Sequence, residues 1–418
     1  MKTFKTLLLA SIYLALSISC LSQEGFTADH FAAHTYSFTI EDGIMAGDGA
    51  DLLTKAIDGS QFFLLGEYHN DAGISEITAA LLPLLAKEGY KHFAVETGPL
   101  AAERLEELGK SEDVKAALNQ FYTSHVQLAG DIPIPFFDSV EDAEFLEIAM
   151  KNGYDLWGLD QEYIGSYLFL LEEAWGNSNM PENLRTEYES GQKKLMEAYA
   201  NVNDEESSEV YNVILADEFI QGLLDKLDKT ACRSCFSASD EMLASCEIYR
   251  DWTADLLDNL EGRTDLMKEH FRTYYQNSTE RMPKVFLKMG GMHTARGLTG
   301  NADFEMGNLL YELAAFNGSH DVNVAFATRY YLDDETGEIG DNLDFESTWT
   351  ENMKPLLSVG DKEVWKIIDL RPLKKMWINE RVKPNRQIKT YLKQNDFVII
   401  MPPRGENTPN YDVSLVNE

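Results

Sequence analysis

Short apolar runs, each followed by polar residues and then by a helical pattern, recur along this chain. The first run, residues 61–66, leads into Glu67 and His69, and apolar residues then recur every three or four positions over residues 74–87. This pattern predicts a buried strand, a tight turn and a helix. The next run, residues 91–96, predicts a second strand after a short crossover, and such crossovers join parallel strands.

Further runs of the same kind predict strands at residues 154–159, 284–290, 322–327, 363–370 and 396–401. Between the third and fourth predicted strands lies a long, charged stretch with helical spacing of its apolar residues and few strand signals. The pattern therefore predicts an α/β fold, with a mostly parallel sheet flanked by helices and a large all-helical insertion. The predicted divisions are a signal peptide, the first half of the α/β core, a helical insertion or cap, the second half of the core and a loose tail, at residues 1–22, 23–162, 163–282, 283–403 and 404–418.

Residues that carry charge or move protons stand at the ends of the predicted strands. These residues are Glu67, His69, Glu96, Asp160 and His293. In an open α/β sheet, ligands bind at the carboxyl ends of the strands. We therefore expect two histidines and up to three carboxylates to converge on one cleft.

Three neighbouring residues complete the predicted site. Gly66 is expected to let the backbone turn sharply before Glu67. Tyr68 and Arg296, together with Asp160, are candidates for contact with a substrate. Arg296 stands three residues past His293, where it would either stabilise an oxyanion or pair with a surface acid.

The composition narrows the classes of partner. The chain has 418 residues, of which 44% are hydrophobic, so it can bury a sizeable core. Its formal net charge of −34 is spread along the sequence. Such a surface repels phosphate backbones, so we expect a small-molecule substrate and no nucleic-acid partner.

The first 22 residues have the pattern of an export signal, with Lys2 and Lys5 before an apolar stretch and small residues after it. We expect a periplasmic or extracellular protein. Cleavage after Ser22 would release a secreted chain, whereas lipid attachment at Cys20 would make it a lipoprotein. No later apolar run approaches the length of a membrane span, so contact with a membrane is expected only through that lipid.

Three further cysteines, Cys232, Cys235 and Cys246, lie close together in the predicted insertion. Three ligands make a poor structural zinc site, which normally has four. In an exported protein a local disulfide with one thiol left over is the better interpretation.

Several of these stretches together resemble a known family. They are residues 65–69, 93–98, 156–161, 290–293, 306–310 and 396–400, in that order along the chain. In sequence and order they resemble the erythromycin-esterase-like superfamily, which shares features with the haem-uptake ChaN-like proteins and the Tiki proteins. The resemblance spans nearly all of the mature chain and implies the α/β fold.

The sequence also departs from the family's patterns. Only Tyr68 separates Glu67 from His69, where the esterase pattern has two residues, and the following helix lacks the esterase's arginine. The further histidines of the haem-uptake pattern are missing from residues 72–75. We therefore expect the fold to carry over, and not macrolide hydrolysis.

The resemblance implies an esterase-like hydrolase that needs no cofactor. His69 would act as the general base that takes a proton from water, and the water would attack an ester or lactone carbonyl. Glu67 or Glu96 would orient that imidazole, and His293 would polarise the carbonyl or protonate the leaving alkoxide. Histidine suits these roles because its pKa lies near working pH.

Other functions use the same residues. His69, Glu67, Glu96 and His293 would suit a divalent metal such as zinc or manganese in a Tiki-like hydrolase or peptidase. A third hypothesis is a ChaN-like protein without catalysis that binds haem through an axial histidine. A fourth is an inactive member that keeps the fold.

Overall fold

The computed structural model describes residues 25–177, 182–200, 208–228, 236–254, 256–333 and 336–416. The predicted signal peptide, Cys20, Cys232 and Cys235 lie outside these residues. Cys246 is buried, and no other cysteine among the described residues pairs with it.

The described residues form eleven strands, nine of which make one sheet at the centre of the protein. In chain order the strands are β1 Thr35–Glu41, β2 Ile44–Ala46, β3 Phe62–Glu67, β4 His92–Val95, β5 Asp155–Gly158, β6 Val285–Gly290, β7 Asp321–Phe326, β8 Tyr330–Leu332, β9 Ile339–Asp341, β10 Trp365–Asp369 and β11 Phe397–Ile400. Strands β8 and β9 form a separate two-stranded sheet, and the others are ordered β2-β1-β10-β11-β7-β3-β6-β4-β5.

Most of the large sheet is parallel. Strands β11, β7, β3, β6, β4 and β5 run in one direction, whereas β10 is antiparallel to β11 and β1 is antiparallel to β10 and β2. Strands β3 and β6 are buried along their whole length, as continuous apolar runs in parallel strands require. The predicted fold class is confirmed. Each of the seven predicted strands begins and ends within two residues of its predicted bounds. Strands β1 and β2, in the stretch that precedes the first predicted strand, were not predicted.

Helices cover both faces of the sheet. Those that flank it are α1 Ala28–Ala32, α2 Asp48–Ile57, α3 Ala72–Lys87, α4 Pro99–Gly109, α5 Val114–Ala129, α6 Val140–Lys151, α13 Gly291–Thr294, α14 Met306–Phe316, α15 Thr348–Leu357, α16 Leu370–Ile378 and α17 Arg386–Gln394. Between β5 and β6 lie α7 Tyr167–Asn177, α8 Arg185–Ala200, α9 Ser208–Ala216, α10 Glu218–Asp228, α11 Ala238–Ala254 and α12 Leu256–Asn277. The described residues between β5 and β6 form helices and loops and no strand.

The insertion folds around its own apolar stripe. On α10, Ile220, Leu223, Leu224 and Leu227 are buried, at the spacing of one helix face. Gly191 of α8 lies so close to Leu223 that a Cβ there would come within 2.6 Å of it. Among the described helices, none is long and apolar enough to cross a bilayer.

The carboxyl-terminal segment is held against the core, although a loose tail was predicted from residue 404. Glu406 pairs with Asp71 in an isolated antiparallel bridge. The backbone N–H of Thr408 donates to Glu141 at 2.8 Å, and the Asn410 side chain donates to a main-chain carbonyl at 3.0 Å. These contacts hold the segment against the residue that caps α3 and against helices α5 and α6.

Candidate functional site

The strand order brings the predicted site residues to one edge of the sheet. Glu67, at the end of β3, lies opposite Gly290, at the end of β6. On the other side of β6, Val95 lies opposite Lys288 and opposite Gly158 of β5. The residues that follow these ends, Glu96, Asp160 and His293, therefore emerge beside Glu67 and His69.

The turn after β3 depends on two special positions. A Cβ on Gly66 would lie 2.4 Å from the Thr294 hydroxyl, so glycine here permits the close approach of α13. The turn itself is made by Asn70, whose φ of 60° is left-handed. Asp71 then caps α3 by accepting a hydrogen bond from Gly73 at 2.8 Å. We expected Gly66 to make this turn, and the structure assigns it to Asn70.

His69 lies between two carboxylates. Its Nδ1 is 3.3 Å from Glu67 Oε1, and its Nε2 is 3.9 Å from Glu96 Oε1. The ring stacks on Phe136 with centroids 4.1 Å apart, and 37% of the side chain stays exposed. Burial lowers the pKa of His69, but the hydrogen bond to Glu67 and the charge of Glu96 outweigh it, so the pKa lies above the ordinary value.

Glu67 is held by a buried cation. Lys288, in the middle of β6, places its Nζ 2.5 Å from Glu67 Oε2, and both side chains are buried. Burial raises the pKa of Glu67, but the charge of Lys288 and the hydrogen bond to His69 bring it below the ordinary value. Glu67 is thus an anion that can orient and stabilise a protonated His69.

His293 occupies a similar position between two acids. Its Nδ1 donates to Glu305 Oε2 at 2.9 Å, and its Nε2 lies 3.5 Å from Glu96 Oε1. Burial lowers the pKa of His293, but the charge of Glu96 and the bond to Glu305 raise it overall. Glu305 is itself fixed, because it also accepts hydrogen bonds from Asn301 at 2.8 Å and from Thr264 at 3.2 Å.

The helical insertion supplies a second cation. Arg263, on α12, donates to Asp160 Oδ1 at 2.9 Å and to Glu96 Oε1 at 3.0 Å. The charge of Arg263 outweighs burial and holds the pKa of Asp160 below its ordinary value. The remaining oxygen of Glu96 accepts from the backbone N–H of Gly290. Asp160 therefore orients Arg263 and does not face an open part of the cleft.

These groups form an alternating set of charges. The acids are Glu67, Glu96, Asp160 and Glu305, and the fixed cations are Lys288 and Arg263. Two cations leave an excess of negative charge, which favours protonation of both histidines. The site can therefore hold a proton on either imidazole and stabilise the resulting charge.

Two clefts meet at Tyr68 and His69. The first has a volume of about 640 Å³ and is lined by Tyr68, His69, Glu96, His293 and Arg263, with apolar residues Trp252, Leu260, Met292 and Phe326 beside them. The second has a volume of about 620 Å³ and shares with the first only Tyr68 and His69. His69 is thus open to a ligand from both sides.

No protein-family model matches the sequence, and no curated protein matches it at a significant level. Solved structures do resemble it. A histidine-to-asparagine variant of erythromycin esterase EreC, in its open conformation, superposes with a TM-score of 0.54 and 14% identity over 95% of this chain and 100% of that one. The chain has the fold of erythromycin esterase.

Two other structures share this erythromycin-esterase fold. A protein from Bacillus cereus superposes with a TM-score of 0.55 and 14% identity over 91% of this chain and 98% of its own. A succinoglycan biosynthesis protein superposes with a TM-score of 0.54 and 13% identity over 91% of this chain and 97% of its own. At 13–14% sequence identity, these superpositions show a shared fold alone.

The erythromycin-esterase fold of this chain places three ligand atoms where a metal ion would need them. Atoms of Glu67, His69 and Glu96 lie within 4.8 Å of one another. These carboxylates already have partners, however, because Glu67 is paired with Lys288 and Glu96 is paired with Arg263. All four oxygens of these two carboxylates face a donor, so a divalent ion would have to displace buried partners.

Haem binding would need an axial histidine. Nδ1 of His69 is directed at Glu67 and Phe136 covers one face of its ring, so Nε2, 3.9 Å from Glu96 Oε1, is the nitrogen of His69 that can reach a ligand in the clefts. His293 is buried, with its two nitrogens directed at Glu305 and Glu96.

Arg296 does not face the cleft. Its guanidinium is buried and pairs with Asp321 at 2.7 Å and with Asp396 at 2.9 Å. Asp321 begins β7 and Asp396 precedes β11, so both lie at the amino ends of their strands, away from His69. Of its two predicted roles, pairing with acids is the one that the structure shows, although these acids are not at the surface as expected.

Sequence reasoning missed Lys288, Arg263, Glu305 and Phe136. Lys288 did leave a signal, because a lone charge within an apolar strand needs a buried partner. Arg263 and Glu305 left none, since each stands among ordinary polar residues of a helix or loop. Tyr68 lines both clefts, and its hydroxyl donates to the Phe326 carbonyl at 3.3 Å.

Proposed function

We propose that this protein is a hydrolase of esters or lactones that uses His69 as a general base without a metal ion. The observation that carries the proposal is the position of His69, which is held between two carboxylates at the junction of two clefts. A base there can reach a scissile bond whose two sides occupy different clefts.

Glu67 makes His69 a usable base. With Nδ1–H donated to Glu67, the lone pair of neutral His69 is on Nε2, which faces Glu96. When Nε2 takes a proton from water, the imidazolium lies between two anions and is stabilised by both. One such proton transfer contributes about 10²–10⁴-fold in rate.

His293 supplies the complementary acid. It is buried at the wall of the first cleft, and Glu305 and Glu96 favour its protonated form. A protonated His293 donates a hydrogen bond to the carbonyl oxygen or a proton to the leaving alkoxide. Two histidines that share Glu96 therefore divide the base and acid roles.

Erythromycin esterase has the same fold, which supports hydrolysis of an ester bond as the reaction class. The spacing of Glu67 and His69 and the missing arginine give no ground for proposing a macrolide as the substrate. Export to the periplasm or exterior remains a proposal from residues 1–22.

The test is hydrolysis of a panel of esters and lactones by the wild-type protein and by His69→Ala, His293→Ala and His320→Ala. His320 is the matched control, because it is exposed and bonds to the Ala56 carbonyl near the amino end of β7. We expect His69→Ala to lower kcat by at least about 10²-fold and His320→Ala to leave it unchanged. Hydrolysis that survives in His69→Ala would exclude the proposed base.

The metal-dependent alternative has its own test, because Glu67, His69 and Glu96 are close enough to ligate. Elemental analysis of the purified protein should find no stoichiometric transition metal, and dialysis against a chelator should leave kcat unchanged. A bound metal that is lost in His69→Ala would replace our proposal with a metallohydrolase.

A further inference from the structure

The second cleft differs in chemistry from the first. Its aromatic residues are Tyr68, Tyr331 and Trp349, and its polar residues are Asn70, Asp71, Thr328, Asn342, Arg404 and Glu406. Trp252 and Phe326 of the first cleft have counterparts here in Trp349 and Tyr331, whereas the non-aromatic Leu260 and Met292 are matched only by Leu332. The same chemical group of a ligand is therefore not expected to bind equally well in both clefts.

Two aromatic rings provide a surface for stacking in the second cleft. Trp349, in the first turn of α15, is 42% exposed, although large aromatic side chains are usually buried. Tyr331, on β8, stacks on Phe345 with ring centroids 6.4 Å apart, which holds its ring in place. Exposed aromatic rings in a concave surface offer contact area at a low cost in conformational entropy.

The charges of the second cleft exclude an anionic ligand. Arg404 is already paired with Glu76 at 2.8 Å. Asp71 and Glu406 add two carboxylates at the same wall. A phosphate or carboxylate ligand would meet this negative potential without a cation of its own.

The amides and carboxylates exclude a purely apolar ligand as well. Such a ligand would remove water from the side chains of Asn342, Asn70 and Asp71 without replacing its hydrogen bonds, which is unfavourable for each group. The ligand must instead combine an apolar face with a rim of hydroxyl groups. A sugar ring has this combination, since its C–H bonds form one face and its hydroxyls surround the edge.

We propose that the second cleft binds a neutral sugar or a similar cyclic polyol, stacked on Trp349 and hydrogen-bonded by the amide and carboxylate side chains around it. Resting on the hydrolase function proposed above, this makes the substrate an acylated sugar. Its apolar acyl chain lies in the first cleft, against Leu260 and Met292, and its sugar lies in the second. The ester bond then crosses the junction at His69.

The reaction balances without a further reactant. Water gives a proton to His69 and its oxygen bonds to the acyl carbon, the ester C–O bond breaks, and the sugar oxygen takes a proton from His293. The products are a sugar with a free hydroxyl and a carboxylic acid, which ionises. His69 returns its proton to solvent and His293 takes one up.

The first experiment measures binding alone, by saturation-transfer NMR with methyl glucoside, methyl galactoside and N-acetylglucosamine, and with p-cresol as the apolar probe. We expect at least one sugar to bind in the wild-type protein and in His69→Ala. Trp349→Ala should weaken that binding about three- to tenfold, and Trp349→Phe should restore most of it because a phenyl ring still stacks. Phe316→Ala is the matched control, since Phe316 is exposed and outside both clefts.

The second experiment compares hydrolysis of a decanoyl methylglucoside with that of methyl decanoate. We expect a higher kcat/KM for the sugar ester, and a loss in Trp349→Ala that is about tenfold larger for the sugar ester than for the methyl ester. Binding of p-cresol but of no sugar, or equal losses on both esters, would overturn the sugar site. Sugar binding that depends on Trp349, in a protein that hydrolyses no ester, would support the sugar site and overturn the hydrolase.

Discussion

Arg263, on the last helix of the insertion, lies 3.0 Å from Glu96, which follows strand β4. The helical insertion therefore contributes a residue to the site. Glu96 is the carboxylate that Arg263, His69 and His293 all approach. Its charge acts on both histidines at once.

Glu96→Gln should shift the pH profile of kcat/KM toward lower pH. Burial lowers the pKa of both His69 and His293, whereas the negative charge of Glu96 helps to raise both pKa values. The rising limb requires His69 to lose its proton, and the falling limb requires His293 to keep one. Because removal of the charge lowers both pKa values, both limbs move in the same direction.

The control for this profile is Glu280→Gln. Glu280 also pairs with a histidine, His92, at 2.8 Å, but His92 is the first residue of β4 and lies at the opposite end of that strand from Glu96. Glu280→Gln should therefore leave both limbs of the pH profile of kcat/KM unshifted. A Glu96→Gln profile that keeps its midpoints, with only the maximum reduced, would contradict the shared-carboxylate assignment.

Lys288→Met should destabilise the fold strongly, because it leaves the buried carboxylate of Glu67 without its cation. Loss of one partner of a buried ion pair costs about 3–5 kcal/mol. Glu67→Gln in the same protein should recover part of that loss, so the double variant should be more stable than Lys288→Met alone. Urea unfolding of the two single variants and the double variant measures this coupling.

The pH dependence of this pair has a definite sign. The pKa of Glu67 is lowered in the folded protein from its ordinary value of 4.5. The pair therefore contributes stability above that value, and the contribution is lost as the pH falls through the lowered pKa. In Lys288→Met the rise in the pKa of Glu67 caused by burial is no longer opposed by Lys288. The difference in stability between wild type and Lys288→Met should therefore shrink as the pH falls, because Glu67 takes up its proton at a higher pH in the variant.

The sequence predicts the strand ends of this site well and the rest of it poorly. Glu67, Glu96 and Asp160 each follow an apolar run, and the rule that parallel strands end at one edge brings them together. The neighbour relation of β3 and β6 spans more than 200 residues of chain and rests on side-chain packing that no local pattern records. Arg263 and Glu305 arrive through that packing, which is why they were not predicted.

Phe136→Ala should lower kcat by about tenfold. Phe136 has a φ of 66°, which is unfavourable for a bulky residue and is often found at functional sites. Its ring stacks on His69, so its loss frees an imidazole that must stay aligned with Glu67. Steady-state kinetics of Phe136→Ala and of Phe136→Tyr, which keeps the stacking, measures the effect.

Stability separates the two roles of Phe136. Glycine adopts a positive φ at no steric cost, so Phe136→Gly should be more stable than Phe136→Ala by about 1 kcal/mol while losing as much activity. If Phe136→Ala keeps its full kcat, the contact with His69 serves packing alone.

Arg296→Met tests whether the residue after the second histidine loop stabilises the fold or the reaction. Its guanidinium joins Asp321 and Asp396 from neighbouring strands β7 and β11, and its removal leaves two acids facing each other with little solvent. Burial raises the pKa of Asp321 and the charge of Arg296 opposes that rise, so the acid depends on this partner. We expect a loss of about 3–5 kcal/mol in the free energy of unfolding.

The matched control is Arg371→Met, which removes an ion pair of similar length, 2.8 Å to Asp369, but with an arginine side chain that is 44% exposed. An exposed pair of this kind contributes about 0–1 kcal/mol. In both variants the folded protein should keep kcat within about threefold, because neither arginine touches the clefts at His69. An Arg296→Met protein that unfolds like the wild type but loses kcat would restore the oxyanion role that its position after His293 first suggested.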